Sequence, residues 1–163
     1  MYFLLHNAVT FVIHEHFNSI MKYYPFFIIY FLLFGSNISL QAQTLNVEIN
    51  KVKSNKGKIL LSLYNAEKGF PYESTSCIKI FTLQPKAGKV VLTTSEIPTG
   101  VYAIALFHDA DGNGKLSTNM LGMPKEGYAF SNDASGFLGL PSFKSASFRF
   151  QSDTTLFIQM KHF

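Results

Sequence analysis

Leu45, Val47 and Ile49 alternate with Asn46, Glu48 and Asn50, the period of a strand with one buried face. The turn signal Ser54-Asn55-Lys56-Gly57 separates this run from a second apolar run at 58–64, at hairpin distance. Further strands are predicted at 78–83, 89–94 and 101–108, divided by turns at 85–88 and 97–100. The run 101–108 is the most continuously apolar, which predicts a central strand covered on both faces. A short strand is expected at 148–151 and a last one at 154–162, where Leu156, Ile158 and Met160 alternate with Phe157, Gln159 and Lys161. Residues 120–146 are rich in Gly, Pro, Ser and Asn and read as one long loop, with at most a helical turn at 142–147. About seven short strands with turns between them predict an all-β fold, an antiparallel β-sandwich of the immunoglobulin-like or transthyretin-like kind.

Ahead of the strands the pattern changes. From Met21, one lysine precedes a run of about ten apolar residues, and small and polar residues follow as far as Ala42. The apolar run 26–34 falls short of the roughly 20 residues of a membrane span. The expectation is an N-terminal extension and signal peptide over 1–42, with translation starting at Met21, and a single domain over 43–163. The product would be periplasmic or extracellular, with no membrane span in the mature chain. His14-Glu15-His16 resembles a metal pair but lies in the segment expected to be absent from the mature protein.

Composition narrows the function classes. The formal charge is +4, but the lysines are scattered and Arg149 is the lone arginine, whereas nucleic-acid binders cluster Arg and Lys. Solvated strand faces and protected edges account for such lysines, and no nucleic-acid partner is expected. With Cys77 as the single cysteine, an internal disulfide and a thiolate metal cluster are excluded.

The sharpest chemistry follows the central strand. Asp109, Asp111 and Asn113 stand at alternate positions, Gly114 permits a tight turn, and Leu116 returns the loop to the core. Ca²⁺ takes about six to eight hard oxygen ligands, and this spacing gathers three side chains and the Lys115 carbonyl round one point. Ser117 falls where an EF-hand loop often uses a water-bridged ligand. The twelfth position, however, is Met120 rather than a bidentate Glu, and a strand precedes the loop, so this is no EF-hand. A calcium loop between strands would need another carboxylate, and Glu126 and Asp133 are the candidates. The competing reading is a turn in which Asp and Asn cap their own backbone. Two neighbouring carboxylates with nothing between them repel, which favours the cation.

The run Phe107-His108-Asp109-Ala110-Asp111-Gly112-Asn113-Gly114-Lys115-Leu116 is followed by Asn119, Gly122 and Pro124-Lys125-Glu126-Gly127-Tyr128. Phe130-Ser131-Asn132, Gly136 and Pro141-Ser142-Phe143 complete a pattern that resembles the secreted bacterial proteins called domain of unknown function 2141. The resemblance covers essentially all of 43–163. It implies an exported β-sandwich and carries over no catalytic residues.

Two functions from different classes remain. The first is a non-enzymatic module that binds a protein or carbohydrate at the cell envelope, with Ca²⁺ stiffening one end. The second is a metal-assisted hydrolase using His108, Asp109 and Glu126. If the long loop folds back, His108, Tyr128 and Asn132 would line a ligand pocket beside the acidic turn. Otherwise Tyr128, Phe130, Phe137 and Phe143 pin the loop to the sandwich. A buried His108 would weigh against the enzyme. Neither a Gly-x-Ser-x-Gly elbow nor a His-Glu-x-x-His zinc helix is present.

Overall fold

A computed structural model describes residues 42–136 and 139–162, together with Lys22. The expected leader, its start at Met21, the pair His14 and His16, and Phe137 lie outside the described residues. The unit Ala42–Phe163 contains both sheets and their cores, and is therefore expected to fold independently. Among the described residues no helix is long and apolar enough to cross a membrane.

The strands are β1 (Leu45–Val52), β2 (Lys58–Tyr64), β3 (Lys79–Leu83), β4 (Gly88–Thr94), β5 (Gly100–Asp109), β6 (Tyr128–Phe130), β7 (Phe148–Phe150) and β8 (Thr154–Gln159). One sheet runs β4-β1-β8; the other runs β3-β2-β5-β6, with β7 also on β5. The all-β sandwich expected from the alternation is present, with two refinements. Among the described residues it has eight strands, because Tyr128–Phe130 pairs with β5 inside the stretch expected to be loop. And β8 runs parallel to β1, with Leu45 opposite Thr154 and Asn50 opposite Gln159, while the other pairings are antiparallel. Alternation specifies which face of a strand is buried and says nothing of the neighbour's direction.

Leu45, Val47 and Ile49 of β1 and Ile158 of β8 face Ile59, Leu61 and Leu63 of β2 and Ile104 and Leu106 of β5, all essentially inaccessible. The turn 54–57 links β1 in one sheet to β2 in the other, so it bridges the sandwich and does not close a hairpin. Both faces of β5 are covered, as its apolar run requires. On the outer face Ala103 packs with Phe130, Ala134 and Ala146, and Phe70, Tyr128, Leu140 and Phe143 close over them. Phe70 meets Tyr64, Phe130 and Phe143 edge to face at 5.2, 6.1 and 5.8 Å. The helical turn expected at 142–147 is the short helix α1 (Phe143–Ala146), whose Ser142 Oγ accepts from Ser145 N at 3.1 Å.

Between the short pairings of β5 with β6 and with β7 the ladder would be broken. Ser131 fills the gap. Wholly buried, its hydroxyl accepts from Ile104 N at 2.9 Å and donates to the Ala146 carbonyl. One side chain thus takes the place of a strand on the second edge of β5.

Candidate metal centre

The centre lies where β5 runs out of the sandwich. Strand alternation puts the last residue, Asp109, on the same outer face as Ala103, yet it is completely buried. Its Oδ2 accepts from Gly114 N at 3.0 Å, which draws the loop back over the strand end. Its Oδ1 is buried and has no hydrogen-bond partner among the described residues. A buried carboxylate oxygen without a donor carries a large desolvation cost, and native structures rarely leave one so.

The loop supplies a second carboxylate. Asp111 Oδ1 accepts from Asn113 N at 3.1 Å, and its Oδ2 accepts from Asn113 Nδ2 at 2.9 Å and Ser117 Oγ at 3.1 Å. Asn113 Oδ1 in turn accepts from Lys115 N at 2.7 Å. These are the backbone-capping contacts of an Asx turn, so the turn and the acidic group coexist in the same residues. Ser117 enters through its hydroxyl, which Asn113 Nδ2 also reaches at 2.8 Å.

The third carboxylate comes from the far side of the loop. Glu126 is 9% exposed, and its two oxygens accept from Ala110 N at 2.8 Å and Ser117 N at 2.9 Å. It therefore ties the start and end of the acidic loop together. One carboxylate oxygen from each of Asp109, Asp111 and Glu126 lies within 4.8 Å of the others. Oxygens bound to one Ca²⁺ at about 2.4 Å stand no more than about 4.8 Å apart, so the span suits a single hard cation. Three carboxylates, with the Asn113 amide and Ser117 hydroxyl beside them, offer hard oxygen donors rather than the ligands of a soft metal.

Of the two carboxylates considered as completing the loop, Glu126 is there. Asp133 is engaged elsewhere: its Oδ1 accepts from Gln159 N at 2.7 Å, binding the loop to the end of β8. His108 is 3% exposed, its Nε2 lies 2.7 Å from the Lys56 carbonyl, and its backbone N–H donates to Gly127 O at 2.8 Å. It seals the turn 54–57 against the end of β5. Asn132 donates to the Ser147 carbonyl at 2.8 Å and holds a left-handed φ of 60°. Of the three expected ligand contacts, only Tyr128 borders the open space of a cleft.

That space is two adjoining clefts of about 470 and 310 Å³ on the outer face of the five-stranded sheet, both bordered by Tyr72, Leu116, Tyr128 and Phe130. Gly114 and Lys115 of the acidic loop form one wall of the smaller cleft. Burial raises the Tyr128 phenol above its ordinary pKa. No regular spacing signals Tyr72, which the aromatic contacts of Phe70 and the bond from Tyr64 Oη to the Pro71 carbonyl bring to the cleft.

No curated protein and no solved structure shows significant similarity to this chain. A family model does: it matches residues 47–157, which span both sheets, the acidic loop and Glu126, and the chain therefore belongs to the family described as uncharacterised proteins conserved in bacteria, DUF2141.

Proposed function

We propose that the protein is an exported, non-enzymatic β-sandwich binding module whose Asp109, Asp111 and Glu126 take one Ca²⁺, bracing the loop that walls the clefts. The observation that carries this reading is the buried, unpartnered Oδ1 of Asp109 inside a group of three carboxylates. A cation would satisfy that oxygen and offset the mutual repulsion of the group at once. The export expected from residues 21–42 fits the same picture, because extracellular modules work with weak sites in the roughly 0.1–1 mM range of Ca²⁺.

Burial of His108 argues against the hydrolase. A general base must reach substrate, directly or through one water. His108 is packed under the turn 54–57 with Nε2 occupied by the Lys56 carbonyl, and it borders neither cleft.

The test is calorimetric titration of the Ala42–Phe163 unit with CaCl₂, alongside its thermal midpoint in chelator. The expected result is a saturable heat in the millimolar range and a raised midpoint, both lost in Asp109→Asn. Neither heat nor shift at millimolar Ca²⁺ would remove the reading.

A further inference from the structure

Residues 115–125 form a small hairpin that rises from the acidic loop. Lys125 N donates to Ser117 O at 2.8 Å, Thr118 bridges Pro124, and Asn119 N donates to Met123 O at 2.8 Å. The tip is tightly braced. Asn119 O accepts from Gly122 N at 3.0 Å, and Asn119 Oδ1 accepts from Leu121 N at 2.9 Å and Met123 N at 3.0 Å. On this ordered tip Met120 is 104% exposed and Leu121 87% exposed. Met123 just behind them is also exposed, and Tyr72, 78% exposed, shares a cleft wall with Met123 and Pro124. Met120 and Leu121 thus stand out on a turn braced by hydrogen bonds, with Met123 and Tyr72 exposed along the neighbouring cleft.

We infer that this crest is a membrane-docking element, in which Met120 and Leu121 enter the interface of an anionic phospholipid bilayer while Lys125 meets its phosphates and Lys115 adds attraction to the anionic surface. Three features favour this occupant. Met120 and Leu121 stand at the turn of a narrow hairpin, whereas protein partners are met by broader patches with a polar rim. The nearer charge is set back by the right amount: Lys125 pairs opposite Ser117, three positions from Met120, or about 10 Å at strand rise. Interfacial apolar groups sit about 5–10 Å deep, which leaves Lys125 at headgroup level, with Lys115 farther back to add attraction to the anionic surface. Both lysines are exposed, and neither is in an ion pair among the described residues. Tyr72 offers the amphipathic ring that such boundaries favour.

The inference goes beyond the cation reading and does not need it, since hydrogen bonds alone hold the tip. The experiment is therefore run in chelator. The Ala42–Phe163 unit is sedimented with vesicles of phosphatidylcholine mixed with phosphatidylglycerol, and with vesicles of phosphatidylcholine alone. Binding to the mixed vesicles is expected, weakening as salt screens the lysines. Met120→Asn with Leu121→Asn should lower the partition at least tenfold with an unchanged thermal midpoint. Lys115→Gln with Lys125→Gln should remove the preference for the anionic vesicles. No binding to the mixed vesicles, or equal binding by the Met120/Leu121 variant, would overturn the inference. So would a dimer abolished by that variant without any vesicle binding, which would assign the crest to a second copy of the chain.

Discussion

Gly57 lies hard against the backbone of Asp109: a Cβ built on it would stand 1.9 Å from the Asp109 carbonyl oxygen and 2.7 Å from Ala110 Cα. Gly57 also has a φ of +70°, where side chains are strained. The turn between the sheets and the root of the acidic loop are thus a single contact, reinforced by the His108 ring on the Lys56 carbonyl. Gly57→Ala must push one backbone off the other. It is expected to cost about 2–3 kcal/mol in urea unfolding and to weaken the Ca²⁺ heat, although residue 57 contributes no ligand.

Asp109 and Glu126 should respond to mutation with opposite signs. In the absence of cation, Asp109→Asn removes one charge from a crowded group and offers an N–H to its surroundings, so stability in chelator should hold or rise. Glu126→Ala leaves the Ala110 and Ser117 N–H groups without their acceptors, and should lower stability by about 2–3 kcal/mol. Both variants should lose the Ca²⁺-induced rise in thermal midpoint. If the group served only to cap the turn, Asp109→Asn would be destabilising, and wild type would gain nothing from Ca²⁺.

The alternation of Leu45, Val47 and Ile49 and the apolar run of β5 made the sandwich legible, because burial of one or both faces is written directly in residue order. The acidic spacing likewise singled out Asp109 and Asp111, and placed Glu126 among the candidates. What residue order does not carry is long-range geometry. Glu126 and Asp133 are equally plausible as carboxylates downstream of the loop. Only the pairing of Tyr128–Phe130 with β5 brings Glu126 home, while the end of β8 draws Asp133 away. Three strand residues amid Gly, Pro and Ser are too few to show a period, so β6 read as loop. The Met120-Leu121 tip was hidden for a different reason: an apolar pair in a sequence looks the same whether it is buried or held out.

Ser131 is the least conspicuous structural residue in the molecule. Small and polar, within a loop-like stretch, it gives no periodic signal, yet its hydroxyl, fully buried, joins Ile104 N to the Ala146 carbonyl. Ser131→Ala leaves a donor and an acceptor buried and unpaired, at a cost of about 2–3 kcal/mol. Ser131→Thr keeps the hydroxyl but adds a methyl to a fully buried site, and should be intermediate. Amide exchange at Ile104 reports the difference directly: the exchange should accelerate in Ser131→Ala by more than it does at Leu61 on the neighbouring strand.

Alkaline pH should expose the second core. Burial raises the pKa of Tyr64, with lesser contributions from nearby acidic groups, and burial likewise raises that of Tyr128. A phenol whose folded value lies above its unfolded value of 10.0 favours the folded state most while both forms are neutral. That contribution is whole below pH 10.0, and it is lost as pH rises through the folded values, because the unfolded chain ionises first. Both rings pack with the aromatic cover of β5, so ionising them should loosen Phe70 and Phe143 before it affects the β1–β4 pairing. Urea midpoints measured on either side of pH 10.0 should therefore fall more steeply for wild type than for the Tyr64→Phe, Tyr128→Phe double variant. Equal slopes would mean that these phenols are already solvated in the folded protein.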